Sequence, residues 1–271
     1  MAGFRSSIYG FRGPWPKKES FGKNLLALGK ALPETTPTLV WIVGALDLSV
    51  NGCKLEFRTP ADRLYEEWRS SNISFADPRR HESHHSYLSY FDSLGIKVFL
   101  QVEPGMADVA VLIELVMGEF SSHPCVAGFG VDVEWYQGVT EDSGIVVTDE
   151  VAKAWEAQVK EWDPKYQLFL KHFDAAWLCP SGYRGDLVFV NDSQGFTSEE
   201  EFLEEFGHFA EHFYPNLVLN QIGYPRDKVW WAELPESAPE YLAKALAEKI
   251  RQDSGIIWVD FSLPDVFPID D

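Results

Sequence analysis

The stretch GFGVDVEWYQ, residues 128–137, begins as a buried β-strand and ends in acidic and aromatic residues. Side chains along a strand point alternately to its two faces, so the even-numbered residues are expected to share one face. They are Gly128, Gly130, Asp132 and Glu134. The odd-numbered residues are bulky and apolar. A strand with one face nearly empty and then acidic does not suit a sandwich, and it predicts a barrel with a site at its rim.

Eight strand-like runs alternate with helices or helix-sized connections along the 271 residues. The strands are predicted at 6–12, 38–47, 96–105, 125–135, 166–174, 186–194, 216–224 and 255–262. Such alternation implies right-handed crossovers and a parallel sheet, and eight units in a chain of this length predict an α/β fold, a (β/α)8 TIM barrel. The alternative is a doubly wound open sheet, but its G-x-G-x-x-G phosphate loop is absent.

We predict a single domain over residues 1–271, with an irregular insertion at about 50–80 and without the last helix of the barrel. The 42 acidic and 23 basic residues give a net charge of −19, an acidic protein that we expect to bind neither nucleic acid nor a membrane surface. Three cysteines without CxxC spacing indicate free thiols. Without a long apolar run or a signal-type N-terminus, we expect a soluble protein, monomeric by default. It could be cytoplasmic, or secreted if a signal peptide has been removed.

Polar residues follow the predicted strands at the end where barrels of this kind carry their sites. The candidates are Arg12, Glu103, Asp132, Glu134, Lys171, His172, Asp192, Gln194, Gln221, Tyr224 and Asp260. A carboxylate at the end of an apolar run is desolvated unless it is paired, so its pKa is adjustable. Trp231 and Trp258 are the aromatic residues that we expect to stack on a sugar ring.

The pair Asp132 and Glu134 is the most specific signal. Same-face residues two apart on a strand have Cβ atoms roughly 6–7 Å apart, which lets one carboxylate raise the pKa of the other. Cleavage of a glycosidic bond needs such a proton donor and a negative charge near the anomeric carbon. Two solvated acids at a barrel rim, or a salt bridge to Lys171, are the alternatives.

GFGVDVEWY resembles the fourth-strand motif of family 18 glycoside hydrolases, the chitinase-like TIM barrels. The resemblance implies that Glu134 is the general acid and that Asp132 orients the substrate acetamido group, which acts as the nucleophile. Ala127 and Gly130 stand where that motif has two further acids. The stretches YRGDLVFVNDSQGF and NQIGYPRDKVWW resemble uncharacterised glycosidase-like barrels of bacteria and archaea.

We therefore predict a glycoside hydrolase that cleaves an oligo- or polysaccharide without a cofactor or metal. If the nucleophile belongs to the enzyme, Asp192 is the first candidate and Glu103 the second. One alternative is a barrel isomerase or lyase whose clustered acids hold a divalent cation. The other is a barrel that binds carbohydrate without catalysis. The histidines of HESHH, residues 81–85, are interpreted as a solvated helix start rather than a metal site.

Overall fold

The computed structural model describes most of the chain. The described residues are 1–6, 17–32, 35–57, 71–76, 78–140, 144–234 and 237–266, with backbone alone at 78–83 and 264. The candidate Arg12 and the side chain of His81 lie outside this description.

Ten strands form one sheet. They are β1 (Ala2–Arg5), β2 (Pro37–Asp47), β3 (Gly52–Leu55), β4 (Ile73–Phe75), β5 (Lys97–Val102), β6 (Val126–Asp132), β7 (Gln167–Lys171), β8 (Leu187–Asn191), β9 (Val218–Ile222) and β10 (Ser254–Val259). Eight of them, β1, β2 and β5 to β10, are parallel neighbours, and β1 pairs with both β10 and β2. These pairings close the sheet into a barrel. The strands β3 and β4 extend it beside the end of β2 and account for part of the predicted insertion.

Helices lie between consecutive barrel strands except between β7 and β8, where the described chain has only the 3-10 helix Ala175–Trp177. The α-helices are α1 (Lys18–Ala31), α2 (Pro78–Leu94), α3 (Val109–Phe120), α4 (Asp149–Trp162), α5 (Glu199–His212), α6 (Lys228–Trp231), α7 (Ala238–Lys249) and α8 (Leu263–Val266). After β10 the described chain has a 3-10 turn and the single turn of α8, which confirms a (β/α)8 TIM barrel that lacks its final helix. In the described part, no helix is both long and apolar enough to cross a membrane.

The apolar core has two layers. The inner layer fills the barrel and contains Val40, Phe99, Phe169, Val188, Val190, Leu219 and Ile257. The outer layer packs between the strands and the helices. The glycine face of β6 belongs to the inner layer, because a Cβ at Gly130 would lie 2.0 Å from Cζ of Phe169. The empty position expected at Gly130 thus receives a large neighbouring ring.

The first strand differs from its prediction at 6–12, because β1 spans Ala2–Arg5. The N–H of Ser6 still donates to the carbonyl of Val40 at 2.8 Å, and its Oγ accepts a hydrogen bond of 3.0 Å from the backbone N–H of Ile42. Residues 7–16 lie outside the described part. The basic residue that ends the first strand is therefore Arg5.

The fourth barrel strand is also shorter than predicted. β6 ends at Asp132, and Val133–Trp135 form a 3-10 helix closed by a 2.9 Å hydrogen bond from the N–H of Tyr136 to the carbonyl of Val133. Strand alternation stops at Asp132. The prediction that Asp132 and Glu134 share a strand face is therefore wrong.

Candidate active site

A buried layer of polar side chains lies above the inner core, at the C-terminal ends of the strands. Strand alternation places Gln101 after Phe99 and Lys171 after Phe169, so both side chains continue the inward face. Asp132 follows Gly130 in the same way. The sequence therefore changes from apolar to ionic at one level of the barrel.

Lys171 joins two carboxylates in this layer. Its Nζ lies 2.9 Å from Oδ2 of Asp132 and also contacts Oδ2 of Asp192. Asp132 and Lys171 are 1% and 2% exposed, and Asp192 is 6% exposed. Within the described residues, the Oδ1 atoms of both aspartates have no hydrogen-bond partner. Each aspartate thus binds the ammonium with one oxygen, and its other oxygen is buried without a protein partner in the described part.

Arg5 approaches the same cluster from β1. Its Nε donates a hydrogen bond of 3.2 Å to Oε1 of Gln101. Its guanidinium lies 3.5 Å from Oε1 of Glu103 and 3.7 Å from Oδ2 of Asp132. The other oxygen of Glu103 accepts from the N–H of Leu46 at 3.1 Å, which joins β5 to the end of β2.

Tyr224 and Gln221 complete the layer on the side of β9. The hydroxyl of Tyr224 lies 3.5 Å from Oδ2 of Asp192 and contacts the amide nitrogen of Gln221. Gln221 is fully buried. A buried amide and phenol beside a carboxylate can orient it and can bind a hydroxyl group of a ligand.

Burial and charge determine the ionisation of this cluster. Burial, reinforced by the negative charges of Asp192 and Glu103 and opposed by Lys171 and Arg5, raises the pKa of Asp132 to about 7. For Lys171, burial favours a lower pKa, but Asp132 and Asp192 outweigh it and raise the pKa. Lys171 is therefore a permanent cation, and Asp132 exchanges its proton near neutral pH.

His172 is held beside the cluster as a neutral ring. It is 2% exposed and stacks between Phe173 and Trp177, with ring centroids 4.4 and 4.6 Å away. Its Nδ1 accepts a hydrogen bond of 2.8 Å from the N–H of Asp174, which places the proton on Nε2. Burial lowers the pKa of His172 to about 4.

The structure brings many of the predicted residues together. The clustered ones are Glu103, Asp132, Lys171, Asp192, Gln221 and Tyr224. Glu134 lies half-buried in the 3-10 helix, and Gln194 is exposed in the loop after β8. Asp260 is buried in the 3-10 turn after β10.

The predicted stacking platform is wrong for both tryptophans. Trp258 is fully buried and Trp231 is 5% exposed, and the two rings meet edge to face at 5.5 Å in the outer core. Neither ring has an open face for a sugar. Alternation along β10 explains the outcome for Trp258, because the preceding residue, Ile257, points into the barrel.

Sequence reasoning missed Arg5 and Gln101. Arg5 ends a strand placed too late in the sequence. Gln101 interrupts the apolar run KVFLQV at a position in phase with Phe99, and that phase was the signal available. A polar residue in an inward position near the end of a barrel strand indicates a site.

One of the HESHH histidines, His84, is buried, which differs from the predicted solvated helix start, and His85 is partly exposed. His84 is 5% exposed, and its Nδ1 accepts a hydrogen bond of 3.0 Å from Nε1 of Trp41. His85 belongs to a separate chain of hydrogen bonds at the other end of the barrel. In the described part of the chain, no three His, Cys, Asp or Glu side chains are arranged to hold a metal ion.

The fold and this layer define the chain as a TIM barrel with an ionic cluster at the C-terminal ends of its strands. No protein-family model and no curated protein matches the sequence. Among solved structures, a Bacteroides thetaiotaomicron protein provisionally assigned as an alpha-L-fucosidase matches with a TM-score of 0.53 and 10% identity, over 95% of this chain and 86% of that one.

An alpha-amylase from Lactobacillus plantarum matches with a TM-score of 0.47 and 10% identity, over 94% of this chain and 70% of that one. At such identity the likeness concerns the fold alone. The resemblance to family 18 gains no support from these matches.

Proposed function

We propose that this barrel is a glycoside hydrolase whose catalytic carboxylates are Asp132 and Asp192. The observation that carries the proposal is the buried pair joined by Lys171, in which each carboxylate keeps one oxygen without a protein partner in the described part. The fold shared with a protein provisionally assigned as an alpha-L-fucosidase supports a carbohydrate substrate.

The contact of both carboxylates with one ammonium limits the separation of the two bound oxygens. Two oxygens that bind one nitrogen at about 3 Å each lie no more than about 6 Å apart. Retaining glycosidases place their carboxyl groups about 5–5.5 Å apart, and inverting ones about 6.5–9.5 Å apart. A retaining mechanism, in which one carboxylate attacks the sugar directly, is therefore part of the proposal, and the azide experiment below tests it.

We assign the attack to Asp192 and the proton transfer to Asp132. A pKa of about 7 lets Asp132 give its proton to the glycosidic oxygen while Asp192 bonds to the anomeric carbon. Asp132 then takes a proton from water, which attacks the same carbon and releases Asp192. Glu134, half-buried at the mouth, is the alternative proton donor that the family 18 resemblance implies.

Other polar side chains at this end of the barrel supply substrate contacts in this proposal. Tyr224 and Gln221 lie beside Asp192 and would bind sugar hydroxyls, and Gln194 would do so from the exposed loop after β8. Lys171 does not contact the substrate. It holds both carboxylates in place, and a divalent cation shared by the two acids would have to displace its ammonium group.

A panel of 2,4-dinitrophenyl and alkyl glycosides tests the proposal. Asp192→Gly should abolish turnover, and azide should restore it by attacking the anomeric carbon to give a glycosyl azide of inverted configuration. Asp132→Asn should lose on the order of 10²–10⁴-fold with alkyl leaving groups and much less with dinitrophenolate, which leaves without a proton. If Glu134→Gln shows that selective loss instead, Glu134 is the donor.

Asp186→Asn is the matched control, because this half-exposed carboxylate pairs with Lys160 just before β8, at the opposite end of the barrel. It should leave turnover unchanged. Wild-type rates in both Asp132→Asn and Asp192→Asn would refute the assignment. Sugar binding without turnover of any glycoside would favour a non-catalytic carbohydrate-binding barrel.

A further inference from the structure

A second group of titratable side chains lies near the N-terminal ends of the strands, away from the candidate active site. Four of them form a linear chain in the order Glu119, His85, His123, Asp92. Oε1 of Glu119 lies 2.8 Å from Nε2 of His85, and Nδ1 of His85 lies 2.8 Å from Nε2 of His123. Nδ1 of His123 lies 2.8 Å from Oδ2 of Asp92.

The three contacts need three protons. Each joins two atoms that are both acceptors unless one carries a hydrogen. Two neutral imidazoles and two carboxylates carry only two such hydrogens. With all three contacts formed, the four residues therefore hold three such protons, one more than two neutral imidazoles supply. The extra proton is on a ring or on a carboxyl group.

The chain connects three elements of the fold. His85 and Asp92 lie two turns apart on α2, Glu119 lies at the end of α3, and His123 lies in the turn before β6. The second oxygen of Asp92 accepts a hydrogen bond of 2.8 Å from the N–H of Cys125, next to the start of β6. Breaking a link would loosen the packing of α2 against α3 and this turn.

Other titratable groups surround the chain. His84 is engaged with Trp41, and the thiol of Cys125 lies 3.6 Å from the carbonyl of Leu88. The preceding turn of α2 carries a histidine and a glutamate at residues 81 and 82. Asp92 and His123 also line a cavity of about 660 Å³, which gives the four hydrogen-bonded residues a route to solvent. Its charged lining includes Lys97, Asp163 and Lys165.

We propose that this four-residue chain is a proton-binding site that couples pH to the packing of α2, α3 and the start of β6. At acidic and neutral pH the extra proton keeps all three contacts. When alkali removes it, two acceptors face each other and one contact opens. The proposal does not depend on catalysis at the other end of the barrel.

Two amide variants test the number of protons that the three contacts need, without removing a side chain. In Glu119→Gln the amide donates to Nε2 of His85, so two neutral imidazoles satisfy all three contacts. In Asp92→Asn the amide donates to Nδ1 of His123, and the other two hydrogen bonds run in the opposite direction. Two neutral imidazoles again satisfy all three contacts. Neither variant needs the extra proton.

The measurement is the unfolding equilibrium constant between pH 6 and 9, from denaturant titrations of the full chain. Unfolded histidines are mostly neutral above about pH 6.5, so the native wild-type protein binds more protons than the unfolded protein. Its stability should fall with rising pH, by up to tenfold in the equilibrium constant per pH unit. Both amide variants should reduce this slope and leave only the part that Asp132 contributes near the acidic end of the range.

His208→Gln, which removes an exposed histidine on α5, should keep the wild-type slope. Equal slopes in the wild type and both amide variants would overturn the proposal. A flatter slope in only one variant would also overturn it, because either amide removes the need for the third proton. Nitrogen and carbon NMR of the wild type gives a second test without substitution. Three protons counted on the four ring nitrogens and two carboxyl groups support the proposal, and two contradict it.

Discussion

At the scale of single residues, the charge balance of the barrel mouth accounts for the raised pKa of Asp132. Arg5 and Lys171 supply two positive charges, and Glu103, Asp132 and Asp192 supply three carboxyl groups. One proton leaves the buried cluster neutral. A buried charge without compensation is costly, so the proton is retained to unusually high pH.

This balance predicts a pH dependence of stability. The pKa of Asp132 is about 7 in the folded protein against an ordinary value of 3.8, so the folded state binds a proton that the unfolded state releases between these values. The stabilising contribution is complete below about pH 4 and is lost as pH rises to 7. In urea titrations, the stability of the wild type relative to Asp132→Asn should fall over this range and then level off.

The same titration of Asp186→Asn provides the control, because that carboxylate is half-exposed and pairs with a surface lysine. The difference in unfolding free energy between the wild type and Asp186→Asn should not fall between pH 4 and 7. A constant difference between the wild type and Asp132→Asn over the same range would show that Asp132 is ionised throughout.

At the scale of elements, β6 shows what periodicity can and cannot predict. Alternation correctly indicated that the glycine positions face the barrel interior and that Asp132 ends the same face. It failed beyond Asp132, because the 3-10 helix Val133–Trp135 depends on contacts with other loops. Examples are the bridge between Gly105 and Tyr136 and the hydrogen bond from Ile145 to Tyr136. Such contacts are remote in sequence and leave no local signal.

The glycine of β6 leads to a prediction about packing. Gly130→Ala would place a methyl group 2.0 Å from the ring of Phe169, so we expect a loss of about 1–3 kcal/mol of stability. Phe169→Leu in the same chain should recover part of that loss by shortening the opposing side chain. Denaturant midpoints of the two single variants and the double variant measure the coupling.

Gly118→Ala is the control for this pair, because Gly118 is exposed on α3 and its added Cβ would meet Trp162 at an ordinary 3.5 Å. It should stabilise the protein by about 0.5–1 kcal/mol through helix propensity. Additive losses in the Gly130 and Phe169 double variant would mean that the ring does not occupy the space above the glycine.

At the scale of the whole molecule, the order of strands and helices could be predicted, because the hydrophobic pattern of a strand has a different period from that of a helix. The closure of the barrel could not. It depends on β1, whose four residues pair with the most distant strand of the chain and with β2. Because the first strand was placed at 6–12, Arg12 was proposed for the position at the strand end that Arg5 occupies. The barrel fold shared with the protein provisionally assigned as an alpha-L-fucosidase agrees with the predicted fold class.

Closure can be tested at Gly3, where β1 and β2 approach too closely for a side chain. A Cβ at Gly3 would lie 1.6 Å from the carbonyl oxygen of Thr38, a backbone atom that cannot move without displacing β2. Gly3→Ala should therefore cost about 3 kcal/mol or more. Native-state hydrogen exchange should show the largest loss of protection at β1 and at the β2 and β10 amides that face it.

The same displacement should reach the site, because Arg5 follows Gly3 by two residues and shares its face of β1. Moving Arg5 away removes one of the two cations beside Asp132, so the pKa of Asp132 should rise further in Gly3→Ala, as measured by carbon NMR of its carboxyl group. Gly118→Ala should change neither the exchange pattern of β1 nor this pKa. Uniform loss of protection in all eight barrel strands, with an unchanged pKa, would mean that β1 does not close the barrel independently of the rest.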